Sequence, residues 1–305
     1  MFAVTFETTR QLFASGLVNG STYGILGVAF ALILGVTGRF HYAFGALYTL
    51  AAFFAFTLFD RVGWPFWPSA VIGVLITVAM ALLIESGVYR PLAERAGSNA
   101  LLAVFVASLG LGIAANGLIQ IFWGSQTHSL LGLSIKPVEI LGANITNIDV
   151  YTVVSALILL VALAATFRFT GLGRSIKATR SNPEMALLIG IDPKRIYLIV
   201  FAMSSFIAGV MAIFAAIKYS VEPTMGFRPV VLAFVVAFLG GTASAPVRVF
   251  VTGVVIGLVE TMSSIWLSVR WNQLVVFVIL VLYLVSLSFD RSMFARIRTV
   301  LAGQS

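Results

Sequence analysis

The residue types able to do chemistry are few in this chain, and most lie inside apolar stretches. His41, Tyr42 and Gly45 fall in one aromatic-rich segment, and an isolated carboxylate, Glu260, lies deep in another apolar stretch. Polar groups within a membrane are costly unless they pair with one another or face a water-filled cavity. These residues therefore indicate buried pairs or the lining of a path, not a catalytic cluster.

The first apolar stretch holds a further polar group, formed by Asn19, Thr22 and Tyr23. Gly20 and Gly24 lie four residues apart, a spacing that lets two helices approach closely in a membrane. Two interpretations stay open. The stretch forms a tight helix contact, or its helix lines a translocation path with Asn19, Thr22 and Tyr23 as contacts.

The segment "GRFHYAFGALYTL" (38–50) combines charged, aromatic and small residues. Four-residue spacing places Phe40, Phe44 and Tyr48 on one face if the segment is helical. This face is either an aromatic packing stripe or part of the path, together with His41. Arg39 is expected to be a cytoplasmic charge that precedes the second span.

Two features near the C-terminal end invite a functional interpretation. Glu260 can pair with a basic group of a neighbouring span, bond to Ser263 or Ser264, or touch a solute, and the structural pair is the favoured prediction. Gly240 and Gly241 precede a proline and predict a turn between two spans, which is a candidate for structural or gating roles.

The composition excludes several classes of protein. The chain is 60% hydrophobic and 10% charged, whereas a soluble domain carries about 25% charged residues. It has no cysteine and only two histidines, in separate segments, so disulfides and Cys or His metal sites are not expected. The net charge of +8 comes from basic residues scattered between apolar stretches, which fits a membrane protein and not nucleic-acid binding.

The hydropathy pattern predicts an all-α polytopic membrane protein with one integrated domain, 1–305. The first apolar stretch is expected to remain as a span and not to be cleaved as a signal peptide. Nine stretches approach the roughly 20 residues that cross a bilayer, and eight spans is an open alternative because the second and seventh are weak. The stretches are 11–36, 42–59, 66–85, 100–123, 150–167, 196–217, 229–243, 249–267 and 272–289.

Basic residues concentrate in alternate connections, above all in 168–195, which places that connection and the C-terminus in the cytoplasm. The connection 124–149 then lies outside, where it caps the bundle or meets an external partner. Within 168–195, Gly171 and Gly173 are expected to end the preceding span. Asn182 followed by Pro183 predicts a helix start, and Gly190 a helix end. This short helix either docks into another protein's groove or lies against lipid headgroups.

Five motifs in this chain resemble those of permeases of the branched-chain amino-acid type of ABC importer. They span nearly the whole chain in the order of that family: "GLVNGSTYGIL" (16–26), "HYAFG" (41–45), "VYRPL" (88–92), "GLGRSIKATRSNPEMALLIGI" (171–191) and "FLGGTASAPVRVFVTGVVIGLVE" (238–260).

The resemblance implies an ATP-driven importer in the bacterial inner membrane. Its partners would be a second homologous permease subunit, two cytoplasmic ATPases that hold ATP and Mg, and an extracytoplasmic binding protein. The chain itself would be no enzyme and hold no cofactor, and it lacks a G-x-x-x-x-G-K-[ST] loop. The residues that match the ATPase-coupling segment of the family are Gly173, Arg174, Ala178, Glu184, Ala186, Leu187 and Gly190.

The aromatic-rich segment 38–50 differs from the family in the chemistry of its side chains. Where the family commonly reads Asn-Phe-Ala-His-Gly-Glu, this chain has "HYAFGA" (41–46), so a histidine and a carboxylate are replaced by Phe44 and Ala46. The solute is therefore open: a branched-chain or other hydrophobic amino acid, or an aromatic or carboxylic acid or urea. An ion-coupled secondary transporter is the alternative mechanism. A membrane-embedded enzyme is not favoured, because this sequence has no cluster of His, Asp or Glu residues near one membrane face.

Overall fold

The computed structural model describes residues 6–130, 135–140, 142–241 and 245–288. Within these residues the chain is a bundle of helices with one small hairpin. The helices are α1 (Phe6–Thr37), α2 (Phe44–Phe56), α3 (Phe66–Ile84), α4 (Arg90–Ala96), α5 (Ala100–Trp123), α6 (Asn147–Phe169), α7 (Gly171–Ser181), α8 (Pro183–Leu188), α9 (Pro193–Tyr219), α10 (Phe227–Gly240), α11 (Pro246–Ser263) and α12 (Asn272–Ser288).

Short segments of other geometry connect some of these helices. Thr57–Arg61 and Glu85–Tyr89 are π-helical, while Gly97–Asn99 and Val269–Trp271 are 3₁₀ turns. The two strands, β1 (Pro137–Ile140) and β2 (Ala143–Thr146), pair antiparallel. This hairpin is an addition to the all-α architecture that the sequence predicts.

Each of the nine predicted apolar stretches coincides with a helix, which confirms an all-α membrane architecture. Five helical stretches among the described residues are long and apolar enough to cross a membrane: Phe6–Thr37, Phe66–Trp123, Asn147–Phe169, Pro193–Tyr219 and Pro246–Ser263. The two stretches that the sequence marks as weakest are the short helices α2 and α10, of 13 and 14 residues. The number of spans, eight or nine, stays a prediction.

Helix α1 lies at the centre of the bundle because its glycines admit a neighbouring backbone. A Cβ atom built on Gly20 would lie 2.7 Å from Val254 Cα of α11, and one on Gly24 would lie 2.6 Å from the Phe250 carbonyl oxygen. On the other side of this contact, a Cβ atom on Gly253 would collide with the backbone of Gly24. The predicted close approach of helices at the glycine pair in α1 is thereby confirmed.

The bundle has two distinct ends. At the hairpin end, Gln11 of α1 exchanges hydrogen bonds with the backbone of Asn144 in β2, and His128 pairs with Val221. The opposite end, named the coupling end here after the predicted ATPase-coupling segment that it carries, holds α7 and α8. The ion pair Lys194–Glu94 lies there too, with 2.8 Å between Nζ and Oε1. The described part of 124–149 lies at the hairpin end, with 131–134 and 141 outside the described residues. Whether this connection caps the bundle or meets an external partner stays a prediction.

Three local expectations are wrong. Phe40 precedes α2, which begins at Phe44, so Phe40, Phe44 and Tyr48 do not share one helix face. Arg39 is only 7% exposed and pairs with buried Glu85, so it is not a solvent-facing cytoplasmic charge. The sixth helix ends at Phe169, and Thr170 caps α7, so Gly171 and Gly173 open the next helix.

Candidate functional site

The two short helices begin in the interior of the bundle and run in opposite directions. Tyr42, just before α2, contacts Gly112 at the middle of α5, so α2 starts at mid-depth. Helix α10 starts beside it, because a Cβ atom on Gly45 would lie 3.2 Å from the Gly226 carbonyl oxygen. The first turns of α2 and α10 therefore pack side by side in the interior of the bundle. Helices that begin inside a membrane domain are often found at the solute sites of transporters.

Irregular backbone leads into α10, and side chains from other helices satisfy its polar groups. The Asn116 side chain donates to the Pro223 carbonyl at 2.9 Å, and the Gly226 N–H donates to Thr49 Oγ1 at 3.1 Å. Non-helical backbone at membrane depth is stable only where it is buried in protein or lines water. The segment 220–226 meets both conditions, since a cavity lies on either side of it.

The first of these, the hairpin-end cavity, has a volume of about 310 Å³. It brings together four residues predicted for the path, which come from α1 and α2: Asn19, Thr22, Tyr23 and Tyr48. Charged residues from later in the chain complete it, namely Asp149, Lys218, Glu222 and Arg228. Aromatic and methionine side chains supply its apolar wall. The cavity can therefore hold a small solute that has both charged and apolar parts.

Two ion pairs border this cavity. Lys218 Nζ lies 2.5 Å from Asp149 Oδ1 and joins α9 to α6. Arg228 Nη2 lies 2.7 Å from Glu260 Oε1 and joins α10 to α11. The predicted structural pair for Glu260 is thus present, and its carboxylate is 2% exposed while the Arg228 side chain is 54% exposed.

The second space, the side cavity, has a volume of about 290 Å³. Tyr42, Gly45 and Ala46 line it from α2 and the residues before it, while Asn116 and Phe227 line it from α5 and α10. Thr224, in the segment 220–226, lines both cavities. The segment therefore forms the partition between them.

His41 and Phe44 line neither cavity. Both side chains are fully buried; His41 Nδ1 lies 2.8 Å from the Tyr89 hydroxyl, and the His41 ring packs 5.1 Å from that of Phe201. Phe44 packs edge-on against Phe30 at 6.1 Å between ring centroids. Their assignment to a path stays a prediction, and their surroundings are those of packed core residues.

The coupling end carries a compact exposed motif. Asn182 caps α8 by accepting hydrogen bonds from the N–H groups of Glu184 and Met185, and Gly190 ends it with φ of +84°. Ala186 is buried beneath it, but four apolar residues around it are 60–80% exposed: Met185, Leu187, Leu188 and Ile189. This local structure agrees with the capping and helix-end signals in the sequence.

Helix α7 holds this motif against the bundle. Gly173 packs so closely that a Cβ atom there would lie 2.6 Å from Phe167 Cα of α6, which fixes the sharp turn between α6 and α7. Arg174 faces outward and Ala178 is half-buried. The residues predicted to couple to an ATPase are therefore together on one short helix pair and the turn that follows it.

The sequence from residue 12 to residue 284 matches the family described as "Branched-chain amino acid transport system / permease component". The chain belongs to this permease family. It is 26% identical over 289 residues to the high-affinity branched-chain amino acid transport system permease protein LivH of Escherichia coli (strain K12), covering 90% of this chain and 92% of LivH. The same identity and coverage apply to BraD of Pseudomonas aeruginosa.

Other similarities extend beyond that group. The D-allose transport system permease protein AlsC of Escherichia coli is 29% identical over 178 residues, covering 56% of this permease and 54% of AlsC. Among solved structures, PsaBC from Streptococcus pneumoniae in complex with Fab aligns with a TM-score of 0.47 and 12% identity, covering 88% of this chain and 89% of that chain. The family match and the apolar spans place this permease in the bacterial inner membrane.

Sequence reasoning missed the charged lining of the hairpin-end cavity. Arg228, Lys218 and Asp149 each lie at a predicted span end, where a charge is ordinarily explained by the membrane surface. Only the inward course of 220–226 brings Arg228 to the cavity. The signal available in the sequence was the short seventh stretch, since a short apolar stretch can mark an interrupted helix.

The glycine turn between α10 and α11 is tightly packed. Gly241 has φ of +80°, and the Arg248 Nε donates to the Gly240 carbonyl at 2.7 Å. A Cβ atom on Gly240 would lie 2.8 Å from Val249 Cα. Residues 242–244 lie outside the described residues. A structural role for Gly240 and Gly241 fits this packing, and a gating role stays a prediction.

Proposed function

We propose that this permease is one of two related membrane subunits of an ATP-driven importer for branched-chain or other hydrophobic amino acids. The observation that carries the proposal is the family match over residues 12–284, together with relatives named as branched-chain amino acid permeases. The chain would perform no catalysis. Two ATPase subunits would hydrolyse ATP, and an extracytoplasmic binding protein would deliver the solute.

The two ends of the bundle suit the two kinds of partner. The hairpin-end cavity would receive the solute outside, and the motif α7–α8 would seat in the ATPase at the cytoplasmic end. Exposed Leu187, Leu188 and Met185 favour docking into a protein groove, because contiguous apolar side chains on a soluble surface mark interaction sites. A rigid helix pair can then transmit the movement of closing ATPases to the bundle.

Proteoliposomes that hold the complete importer test this function. The importer would contain this permease, its second permease chain and two ATPases, with loaded binding protein added outside. We expect uptake of L-leucine that requires ATP inside the vesicles and persists with a protonophore and a sodium ionophore. Uptake that runs without ATP and stops with the ionophores would instead establish an ion-coupled transporter.

A further inference from the structure

Of the two ion pairs at the hairpin-end cavity, Lys218–Asp149 has a structural role. Asp149 lies in the first turn of α6, where its carboxylate accepts from the Thr146 N–H at 3.0 Å and the Thr146 hydroxyl at 2.8 Å. The same carboxylate binds Lys218, and its side chain is 7% exposed. These contacts cap α6 and tie it to α9.

The second pair is asymmetric. Glu260 is buried on α11, whereas more than half of the Arg228 side chain is exposed, and it lines the cavity. Among the described residues, Glu260 is the one side chain to which Arg228 donates, through Nη2. A guanidinium has five N–H donors in a planar fork. Donors of Arg228 thus remain for a second acceptor on the cavity side.

The position of Arg228 in the fold adds to its affinity for an anion. It is the second residue of α10, whose N-terminus borders the hairpin-end cavity beside the first turns of α2. Helix N-termini carry partial positive charge, which favours a carboxylate nearby. The apolar wall formed by Met211, Phe214 and Met225 lies in the same cavity and suits an aliphatic side chain.

We propose that Arg228 is the carboxylate-binding residue of the solute path. As the solute passes, its carboxylate accepts from the exposed edge of the guanidinium, while Glu260 holds the opposite edge and fixes the side chain. This inference rests on the proposed function, and it predicts a solute that carries a carboxylate.

The decisive experiment separates a fork-shaped donor from a mere positive charge. Arg228→Lys keeps a charge for Glu260 but loses bidentate geometry. In proteoliposomes with saturating L-leucine-loaded binding protein, we expect uptake to fall roughly tenfold or more, as for loss of a charge-assisted hydrogen bond. Complex yield and ATP hydrolysis should not change. Arg270→Lys makes the same chemical change at an exposed position outside the cavity, and it should transport like wild type.

A charge exchange gives the second test. The variant Arg228→Glu/Glu260→Arg retains an ion pair but places a carboxylate at the cavity. We expect complex yield near that of wild type and L-leucine uptake as low as that of Arg228→Lys. If either variant transports like wild type, Arg228 is only a structural partner of Glu260 and the proposal is overturned. If the double variant does not assemble, the uptake by Arg228→Lys alone decides whether the proposal stands.

These experiments distinguish a failure of the proposed import function from a failure of the inference about Arg228. A wild-type importer that takes up no L-leucine with ATP would overturn the proposed amino-acid import, and this inference with it. An active wild-type importer whose Arg228→Lys variant is equally active would overturn the inference and leave the import function intact.

Discussion

Gly24 of α1 and Gly253 of α11 lie in direct backbone contact at the centre of the bundle. Gly20 and Gly257, one turn away, repeat the contact. In a membrane the hydrophobic effect does not drive helices together, so close packing of small residues supplies much of the association energy. This crossing fixes α11, and hence Glu260, relative to the face of α1 that lines the hairpin-end cavity.

The crossing gives the first prediction. Gly253→Leu should prevent assembly, and Gly253→Ala should lower the free energy of unfolding by about 1–3 kcal/mol, the usual cost of overpacking. Gly117→Ala is the matched control, because a Cβ atom on Gly117 meets no atom within 4 Å. The measurement is the thermal unfolding midpoint of the purified permease. Equal midpoints for Gly253→Ala and Gly117→Ala would contradict the packing argument.

The second prediction concerns the buried pair between Arg39 and Glu85. Both side chains are at most 9% exposed, and the Arg39 guanidinium also lies 5.2 Å from the centre of the Tyr197 ring. Removing one partner leaves the other charge buried and unpaired, which costs about 3–5 kcal/mol. Glu85→Gln should therefore strongly reduce folded yield and thermal stability.

Two further variants serve as controls for Glu85→Gln. Arg39→Met combined with Glu85→Leu removes both charges and should recover much of the stability. Glu94→Gln breaks the exposed pair with Lys194, in which both side chains are more than half exposed, and should leave the thermal unfolding midpoint close to that of wild type. If Glu85→Gln is as mild as Glu94→Gln, the Arg39–Glu85 pair is not an energetic constraint on the coupling end.

The third prediction concerns the proposed coupling motif. Gly190→Asp, at a positive φ that disfavours a side chain, or Glu184→Arg, in the first turn of α8, should uncouple ATP hydrolysis from uptake. Loaded binding protein should still dock to the reconstituted importer. Parallel assays of ATP hydrolysis and L-leucine uptake in vesicles measure the coupling, and unchanged transport in both variants would remove the motif from this role.

A companion variant distinguishes docking from a headgroup-bound helix. Leu188 is 80% exposed at the end of α8. Leu188→Asp places a charge in the apolar surface and should abolish copurification of the ATPases while leaving the permease folded. Copurification at the wild-type level would favour a helix that lies against lipid.

The sequence predicts most of this fold because hydropathy and capping act locally. Asn182, Pro183 and Gly190 mark a helix start and end through their own backbone preferences, and the structure agrees. Long apolar stretches likewise specify helices at any depth. The contact at Gly24 is also signalled locally, by its spacing from Gly20.

The parts that failed depend on depth and on distant partners. Arg39 looks like a surface charge until Glu85, 46 positions further along the chain, neutralises it in the interior. Arg228 looks like a span-end charge until 220–226 turns inward. Hydropathy shows that the seventh stretch is short but not that its helix begins at mid-depth, because a weak complete span gives the same pattern. The lining of the two cavities therefore could not be predicted from the sequence.

The short helices α2 and α10, which begin in the interior of the bundle, also bear on the alternative of an ion-coupled transporter. Ion-coupled transporters use the same device to bind a solute at mid-depth. Short helices that begin inside the bundle are therefore compatible with either energy source, ATP hydrolysis or an ion gradient. The family match is what favours an ATPase, so the ionophore experiment remains the test between the two.

The last prediction concerns Phe44 and Ala46, the two positions at which this chain departs from the residues common in the family. Phe44→His with Ala46→Glu restores the chemistry common in the family and should shift solute preference. The structure divides this effect, because Phe44 is fully buried against Phe30 whereas Ala46 lines the side cavity. Phe44→His alone should lower thermal stability without changing the ratio of L-leucine to L-phenylalanine uptake.

Ala46→Glu alone should change that ratio. A carboxylate in a cavity of about 290 Å³ occupies volume and disfavours apolar side chains, so L-phenylalanine uptake should fall more than L-leucine uptake. Ala46→Gln has nearly the same volume without the charge and shows which of the two effects dominates. If Phe44→His shifts the ratio and Ala46→Glu does not, the solute contacts the aromatic core beside His41, and the side cavity is not part of the path.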